Sequence, residues 1–317
     1  MLSDHGAEIA AAYGLGTAVG PPMLSARGEQ GRVWRLDTDR GPHAVKELLV
    51  RQSEAEAAQD VAYQLAVLAD GEVRLPAPIR AAHGEVLTEH GPHQVRVYEW
   101  VDLLPVDRDQ DPEVIGRTYA AIHRVRHETA GPLIGWYTDP VGSDRWAELL
   151  ELSQAADAPF TEQLAAEIPF LVQLEGLLRI PTELRMCHRD LWSDNLPPAA
   201  SGGVCVIDWE NCGLAAPVQE LPMALVDFCD GDQGRTATLY AAYVDAGGPA
   251  RLASRGDFTM VIAQFGHFWE MAVEAYLAPD ASEATKAHSL ERIAEALESP
   301  LRLEHIDAVL DWTSGVH

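Results

Sequence analysis

The chain has 317 residues, 47% of them hydrophobic and 23% charged, ordinary values for a folded protein long enough for about two domains. Its 49 acidic residues outnumber 23 basic ones, and the formal net charge of −26 repels nucleic acid and anionic lipid while favouring cationic partners. No run reaches the ~20 apolar residues of a membrane span, the opening residues lack the basic-then-apolar order of a secretory signal, and the four cysteines (Cys187, Cys205, Cys212, Cys229) form no C-x-x-C pair, so reduced thiols in a cytosolic protein are expected.

In chain order, "GRVWRLDT" alternates as a strand does and "HAVKELL" reads as a second strand. Between Arg51 and Asp70, Ala58, Val61, Leu65 and Leu68 recur at helical spacing, and "RLPAPIR" ends that pattern with two prolines. "GEVLTEHGPHQVRVYEWV" reads as two strands around a Gly-Pro turn. After Val101 the texture turns helical, beginning with the amphipathic "PEVIGRTYAAIHRVRH". It continues through "DRWAELLELSQAA", "FTEQLAAEIPFLVQLEGLLRI", "VQELPMALVDFCD", "GRTATLYAAYVDAG", "FTMVIAQFGHFWEMAVEAYL" and "EATKAHSLERIAEALES". The plan is α+β, with a small β-rich lobe over residues 1–101 and a larger, mostly helical lobe over 102–317.

"CHRDLWSDNL" interrupts the helical half. His188, Arg189, Asp190, Leu191 and Asn195 satisfy H-R-D-L-x-x-x-N, a pattern whose chemistry is phosphoryl transfer. A hydroxyl nucleophile needs a carboxylate to orient it and take its proton, which is the role expected of Asp190. Asn195 offers a neutral oxygen to a divalent ion. Asp208, ending the apolar strand expected at "VCVID", is the carboxylate that would bridge the ion to the phosphates. His188 is expected to brace the loop, and Arg189 to be solvated, with no chemical role for either.

Such a centre needs partners upstream. Gly28 and Gly31 in "ARGEQGRVWRL" give a turn whose N–H groups can approach phosphates. Lys46, in the next strand, can reach the α- and β-phosphates. Its acidic partner is expected on the following helix, where Glu54 shares the face of Ala58, Val61 and Leu65 and Glu56 lies nearer solvent. The Glu99 carbonyl and the Val101 N–H, at the hinge "VYEWV", are the expected contacts to the nucleotide base.

"CHRDLWSDN", followed by "VIDWENCGLAAPVQEL", resembles the aminoglycoside phosphotransferase and choline kinase-like family. Gly213, Pro217, Glu220 and Leu221 approximate the last part of that family's pattern, with Glu220 standing where Asp is commoner. The resemblance is specific in the second half and loose before residue 100. It implies a bilobal protein-kinase-like fold with a small β-rich N-lobe and a larger helical C-lobe. It also implies transfer of phosphate from ATP or GTP to a small-molecule hydroxyl with Mg2+, Asp190 as base and Asn195 and Asp208 as metal ligands. Trp209-Glu210 replaces the Phe-Gly of protein kinases and no A-P-E segment follows, which argues against a protein substrate.

For the acceptor, Glu270 and Glu274 beside Trp269 and Tyr276, and the cluster Asp227, Asp230 and Asp232, would suit an amine through ion pairs and cation–π contact. These residues read equally as outer faces and a loop, with the aromatics in the core. An aminoglycoside-like acceptor is therefore set beside choline, amino sugars and homoserine. Two other readings are a nucleotide-binding module without catalysis and a metal-dependent hydrolase, the latter poorly served by one histidine among carboxylates. A monomer or homodimer is expected.

Overall fold

The structure, a computed structural model, describes residues 2–28, 31–129 and 131–316. A short helix, α1 (Gly6–Ala12), precedes three antiparallel strands, β1 (Met23–Arg27), β2 (Gly31–Thr38) and β3 (Gly41–Leu48). Then comes α2 (Glu54–Asp70), started by a Ser53–Glu56 capping box and stopped by Gly71 in the left-handed region. β4 (Pro78–Ile79), β5 (Thr88–His90) and β6 (His93–Glu99) complete the sheet. β6 lies beside β3, and its other edge pairs with β4 at one end and β5 at the other.

Strand alternation divides this sheet by chemistry. Val45 and Val97 sit opposite each other and, with Leu36 and Val95, bury against Ile9 of α1 and Tyr13 just after it. On the other face Lys46 is the cross-strand partner of Arg96. Two cations side by side demand anions nearby, and their supply shapes the site described below.

The second half comprises α3 (Pro112–Arg124), α4 (Ser143–Ala155), α5 (Thr161–Glu175), β7 (Arg185–Cys187), β8 (Gly213–Ala215), α6 (Pro217–Asp227), α7 (Gln233–Asp245), α8 (Thr259–Leu277), α9 (Glu283–Glu298) and α10 (Leu303–Thr313). Among the described residues no helix is long and apolar enough to cross a membrane. β7 pairs with β8, Cys187 opposite Gly213, so the ends of the 188–212 segment are tied together. The core beneath it contains Tyr119, Leu191, Leu196, Val206 and Leu221. The four cysteines are unpaired and buried. Burial pushes the Cys205 thiol up to about 12 and the Cys229 thiol up to about 11, and lifts Cys187 and Cys212 well above the usual thiol range.

Three expectations change. The segment "VCVID" is no strand: it runs extended, held by single bridges at Val204 and Cys205 and by bonds from Val206 N to Arg74 O (2.8 Å) and Ile207 N to Asn195 O (3.0 Å). Val204 and Val206 are buried instead in the core shared with helix residues such as Tyr119 and Leu221. The inward face of α2 is rotated from the expected one. Leu65 is 43% exposed, while Ala57, Asp60, Tyr63, Gln64 and Val67 are buried, because the helix packs on the sheet and on the second lobe at once. Arg189, expected in solvent, is buried.

Candidate active site

The loop after β7 is held by its backbone. The Arg189 N–H donates to Glu220, and its carbonyl accepts from Gln264 Nε2 at 2.9 Å. Tyr119 OH donates to the Leu191 carbonyl, and Ser193 N donates to Asp227 Oδ2 at 2.6 Å. Arg189 adopts φ 67°, and its guanidinium turns inward over the Tyr137 ring at 4.5 Å and donates to the carbonyls of Asn211 (2.6 Å) and Cys212 (3.1 Å). Only a residue without a Cβ leaves room for it: a side chain on Gly213 would overlap the guanidinium.

His188 is fully buried and packs edge-on against Trp209, with Nε2 donating to the Ile207 carbonyl at 3.0 Å. Burial holds its pKa down to about 4, so the ring is neutral and links the loop to the segment that carries Asp208. Glu220, which stands where Asp is commoner in the family pattern, is a buried anchor. It lies within α6 and pairs with His123 Nε2 at 2.9 Å. Burial alone would raise its pKa. The hydrogen bonds from His123 and from the Arg189 N–H bring it below the ordinary carboxylate range.

This scaffold presents Asp190 to a cleft of about 2700 Å³ between the two lobes. Its Oδ2 accepts from Asn195 Nδ2 and from Asn211 Nδ2, both at 3.0 Å. Burial pushes its pKa up to about 6, opposed by those two hydrogen bonds and by the charge of Lys46, so the carboxylate is ionised at neutral pH. Asn195 Nδ2 also donates to the Asp190 carbonyl at 2.8 Å, which turns Oδ1 the other way.

Across the cleft, Lys46 Nζ contacts Asp208 Oδ1 and lies 2.8 Å from Glu210 Oε2. Glu210 also accepts from Tyr98 OH at 2.9 Å and has Arg96 Nη1 at 3.5 Å. Burial would raise the Glu210 pKa, but Lys46 and Arg96 together hold it well below the usual range. Asp60 of α2 shares the same Arg96 at 3.5 Å yet is pushed up to about 7 by burial. The contrast is physical: Glu210 faces two cations and a phenol, Asp60 one cation and Gln52.

Glu54 is not the partner of Lys46. It accepts from the backbone N–H groups of Val86 (2.8 Å) and Leu87 (2.9 Å), because the first turn of α2 lies against that segment. Glu56 is taken by the capping box with Ser53. The lysine's carboxylates come from the opposite lobe. Glu210 and Asn211, next to Asp208 in sequence, were missed; their signal was the polar pair that follows "VIDW".

Gly28 N donates to the Gly31 carbonyl at 2.9 Å, tying the end of β1 to the start of β2. A Cβ on Gly31 would stand 3.1 Å from Lys46 Cε, so the glycine keeps the lysine's path clear. Glu99 and Val101 line the cleft together with Lys46, Asp190, Asn195 and Asp208. Of the acceptor candidates, Asp227 is at the catalytic loop, bonded to Ser193 N and 3.3 Å from Arg108 Nε. Glu270 and Glu274 do not offer free charge: Arg145 binds both, the former at 2.9 Å. Trp269 is 1% exposed and belongs to the core under α8, although its edge reaches the cleft wall.

Residues 25–256 match the profile of the Phosphotransferase enzyme family. No curated protein matches the chain in sequence. Among solved structures, the chain is similar to an aminoglycoside phosphotransferase from Alicyclobacillus acidocaldarius, with 15% identity, 92% of this chain and 93% of that one covered, and a TM-score of 0.64. It is similar to a spectinomycin phosphotransferase in complex with ADP and spectinomycin (12% identity, 98% of each chain covered, TM-score 0.65). It is also similar to an amicoumacin kinase in complex with AMP-PNP and Ca2+ (15% identity, 92% of each chain, TM-score 0.59). At these identities the likeness establishes the fold, which is bilobal and protein-kinase-like.

Proposed function

Since the chain belongs to the Phosphotransferase enzyme family, we propose that it transfers the γ-phosphate of ATP, or alternatively GTP, to a hydroxyl of a small amine-bearing molecule, with Mg2+. The observation that carries this reading is the meeting, in one cleft, of Lys46 with Asp208 and Glu210, on the wall where Asn195 and Asn211 hold Asp190.

The donor set fits a magnesium nucleotide. An amide oxygen turned away from Asp190 and a carboxylate are hard oxygen ligands of the kind Mg2+ takes, and the glycine beside Lys46 leaves space for phosphates. Asn195 and Asp208 would hold the ion, Lys46 the phosphates, the Gly28–Gly31 turn their outer side, and Glu99 and Val101 the base. The nucleotide supplies the phosphoryl group and the ion neutralises its charge. Asp190 orients the acceptor hydroxyl and takes its proton as the new oxygen–phosphorus bond forms and the bond from the γ-phosphorus to the departing nucleoside diphosphate breaks. Its pKa of about 6 leaves it ionised, and basic enough to accept that proton.

Two features support an amine-bearing acceptor. Asp194, Asp227, Asp230 and Asp232 line the cleft near the loop, and the chain is strongly acidic. Val261, Phe265 and Phe268 of α8 continue the same wall and offer an apolar surface to the rest of the molecule. The test is phosphate transfer from ATP with Mg2+ across a panel of aminoglycosides, amino sugars, choline and homoserine, followed by nucleoside diphosphate release. Turnover with an amine-bearing member supports the reading. Nucleotide binding without phosphorylation of any member would instead mark a non-catalytic module.

A further inference from the structure

Outside the cleft, the beginning of the chain meets the tip of the β5–β6 hairpin through histidines. His5 ends a short 3-10 turn (Leu2–His5) and precedes α1, which places Glu8 on the same side one turn later. His5 Nδ1 lies 2.8 Å from Glu8 Oε2. His90 closes β5, and its Nδ1 lies 3.7 Å from that same carboxylate oxygen. One ligand atom from each of the three falls within 4.8 Å of the others.

We propose that His5, Glu8 and His90 form a binding site for a divalent transition metal ion of the zinc class, distinct from the nucleotide cleft. The decisive point is how His90 is held. The ring is buried and its Nε2 lies 2.8 Å from Thr88 Oγ1, so that nitrogen already has a hydrogen-bond partner and Nδ1 is the one turned to Glu8. At 3.7 Å the distance from Nδ1 to the carboxylate oxygen is too long for a hydrogen bond, yet short enough for both atoms to bind one cation between them.

The geometry fits one. Donors around a tetrahedral ion with bonds of about 2.0–2.1 Å stand roughly 3.3 Å apart, a spacing that the three atoms bracket. Two imidazoles and a carboxylate suit zinc, with water at the fourth position beside the exposed Glu8. Thr88 plays the outer-shell part, fixing the tautomer and orientation of a ligating ring. His93, whose ring is 6.1 Å from His5, is already tied to Glu47 Oε1 at 2.6 Å and stays outside the set. A bound ion would fasten the chain's start to the hairpin whose second strand brings Arg96 and Tyr98 to the cleft.

The test uses the full chain, stripped with a chelator and titrated with Zn2+ against a chromophoric competitor; Co2+ absorption reports the geometry. The expected result is one equivalent bound, with affinity lowered at least about tenfold by His5→Ala and about 10–100-fold by Thr88→Val. Asp208→Asn, which alters the cleft, is expected to bind as the unaltered chain does. His5→Ala changes a partly exposed terminal residue, and circular dichroism verifies its fold. Undiminished binding by His5→Ala, no Zn2+ bound at micromolar concentration, or binding abolished by Asp208→Asn would each overturn the proposal.

Discussion

Lys46 of β3 and Asp208, 162 residues apart in the chain, are joined by an ion pair across the cleft. The cation proposed for phosphate is thus neutralised by the carboxylate proposed for metal, and a metal nucleotide must part them. Asp208→Asn is expected to weaken Mg2+-dependent nucleotide binding about tenfold or more, while metal-free binding stays equal or tightens because Lys46 is released. Calorimetric titration with and without Mg2+ measures both, and an unchanged Mg2+-dependent affinity would exclude Asp208 as a ligand.

Glu210 binds Lys46, Tyr98 and Arg96 at once. Glu210→Gln keeps the shape but leaves two adjacent cations facing a neutral amide. Breaking a buried ion pair from one side costs about 3–5 kcal/mol, so a stability loss of that order is expected in urea unfolding, together with a raised KM for nucleotide. A variant as stable as the parent would show that Asp60 alone satisfies Arg96.

Asp190→Asn is expected to lower turnover about 10²–10⁴-fold, the usual contribution of a general base, with nucleotide affinity unchanged. The base works ionised and its pKa is about 6, so kcat/KM should rise with pH through about 6 and level off above it. That acid limb should vanish from the residual activity of the variant. A limb that persists would assign the titration to another group.

Gly213→Ala forces a methyl group into the Arg189 guanidinium. Overpacking of this kind costs about 1–3 kcal/mol. Because Arg189 precedes Asp190 directly, turnover is expected to fall with stability, whereas Gly142→Ala, whose Cβ would meet nothing, should cost only its backbone strain at φ 93° and leave turnover intact. Equal turnover for both variants would detach Arg189 from the positioning of Asp190.

Glu54→Gln separates two roles. Its carboxylate holds the Val86 and Leu87 N–H groups, so the variant should lose about 1–2 kcal/mol of stability with nucleotide KM unchanged. Lys46→Ala should raise that KM. The same rise in both variants would restore Glu54 as a partner of the lysine.

What could be read beforehand was whatever lies close together along the chain. His188, Asp190 and Asn195 occupy one loop, so their spacing alone indicates their meeting, and the helices after residue 101 carry long periodic faces. The partner of Lys46 was illegible because it depends on how two lobes face each other. Arg96 escaped notice because its place beside Lys46 follows from the β3–β6 register, which local pattern does not set. Glu54 misled because a helix-face argument assumes a single buried side, and α2 is buried on more than one. Helices α1 and α10 were not singled out: each is short, and each is held by packing more than by its own period.

The burial of Cys187, Cys205, Cys212 and Cys229 makes the native chain a quiet background for thiol-directed labels. A cysteine introduced on the rim of each lobe would be the preferred target for a dye. Energy transfer between the two dyes could then follow opening and closing around ligands in the otherwise unaltered protein.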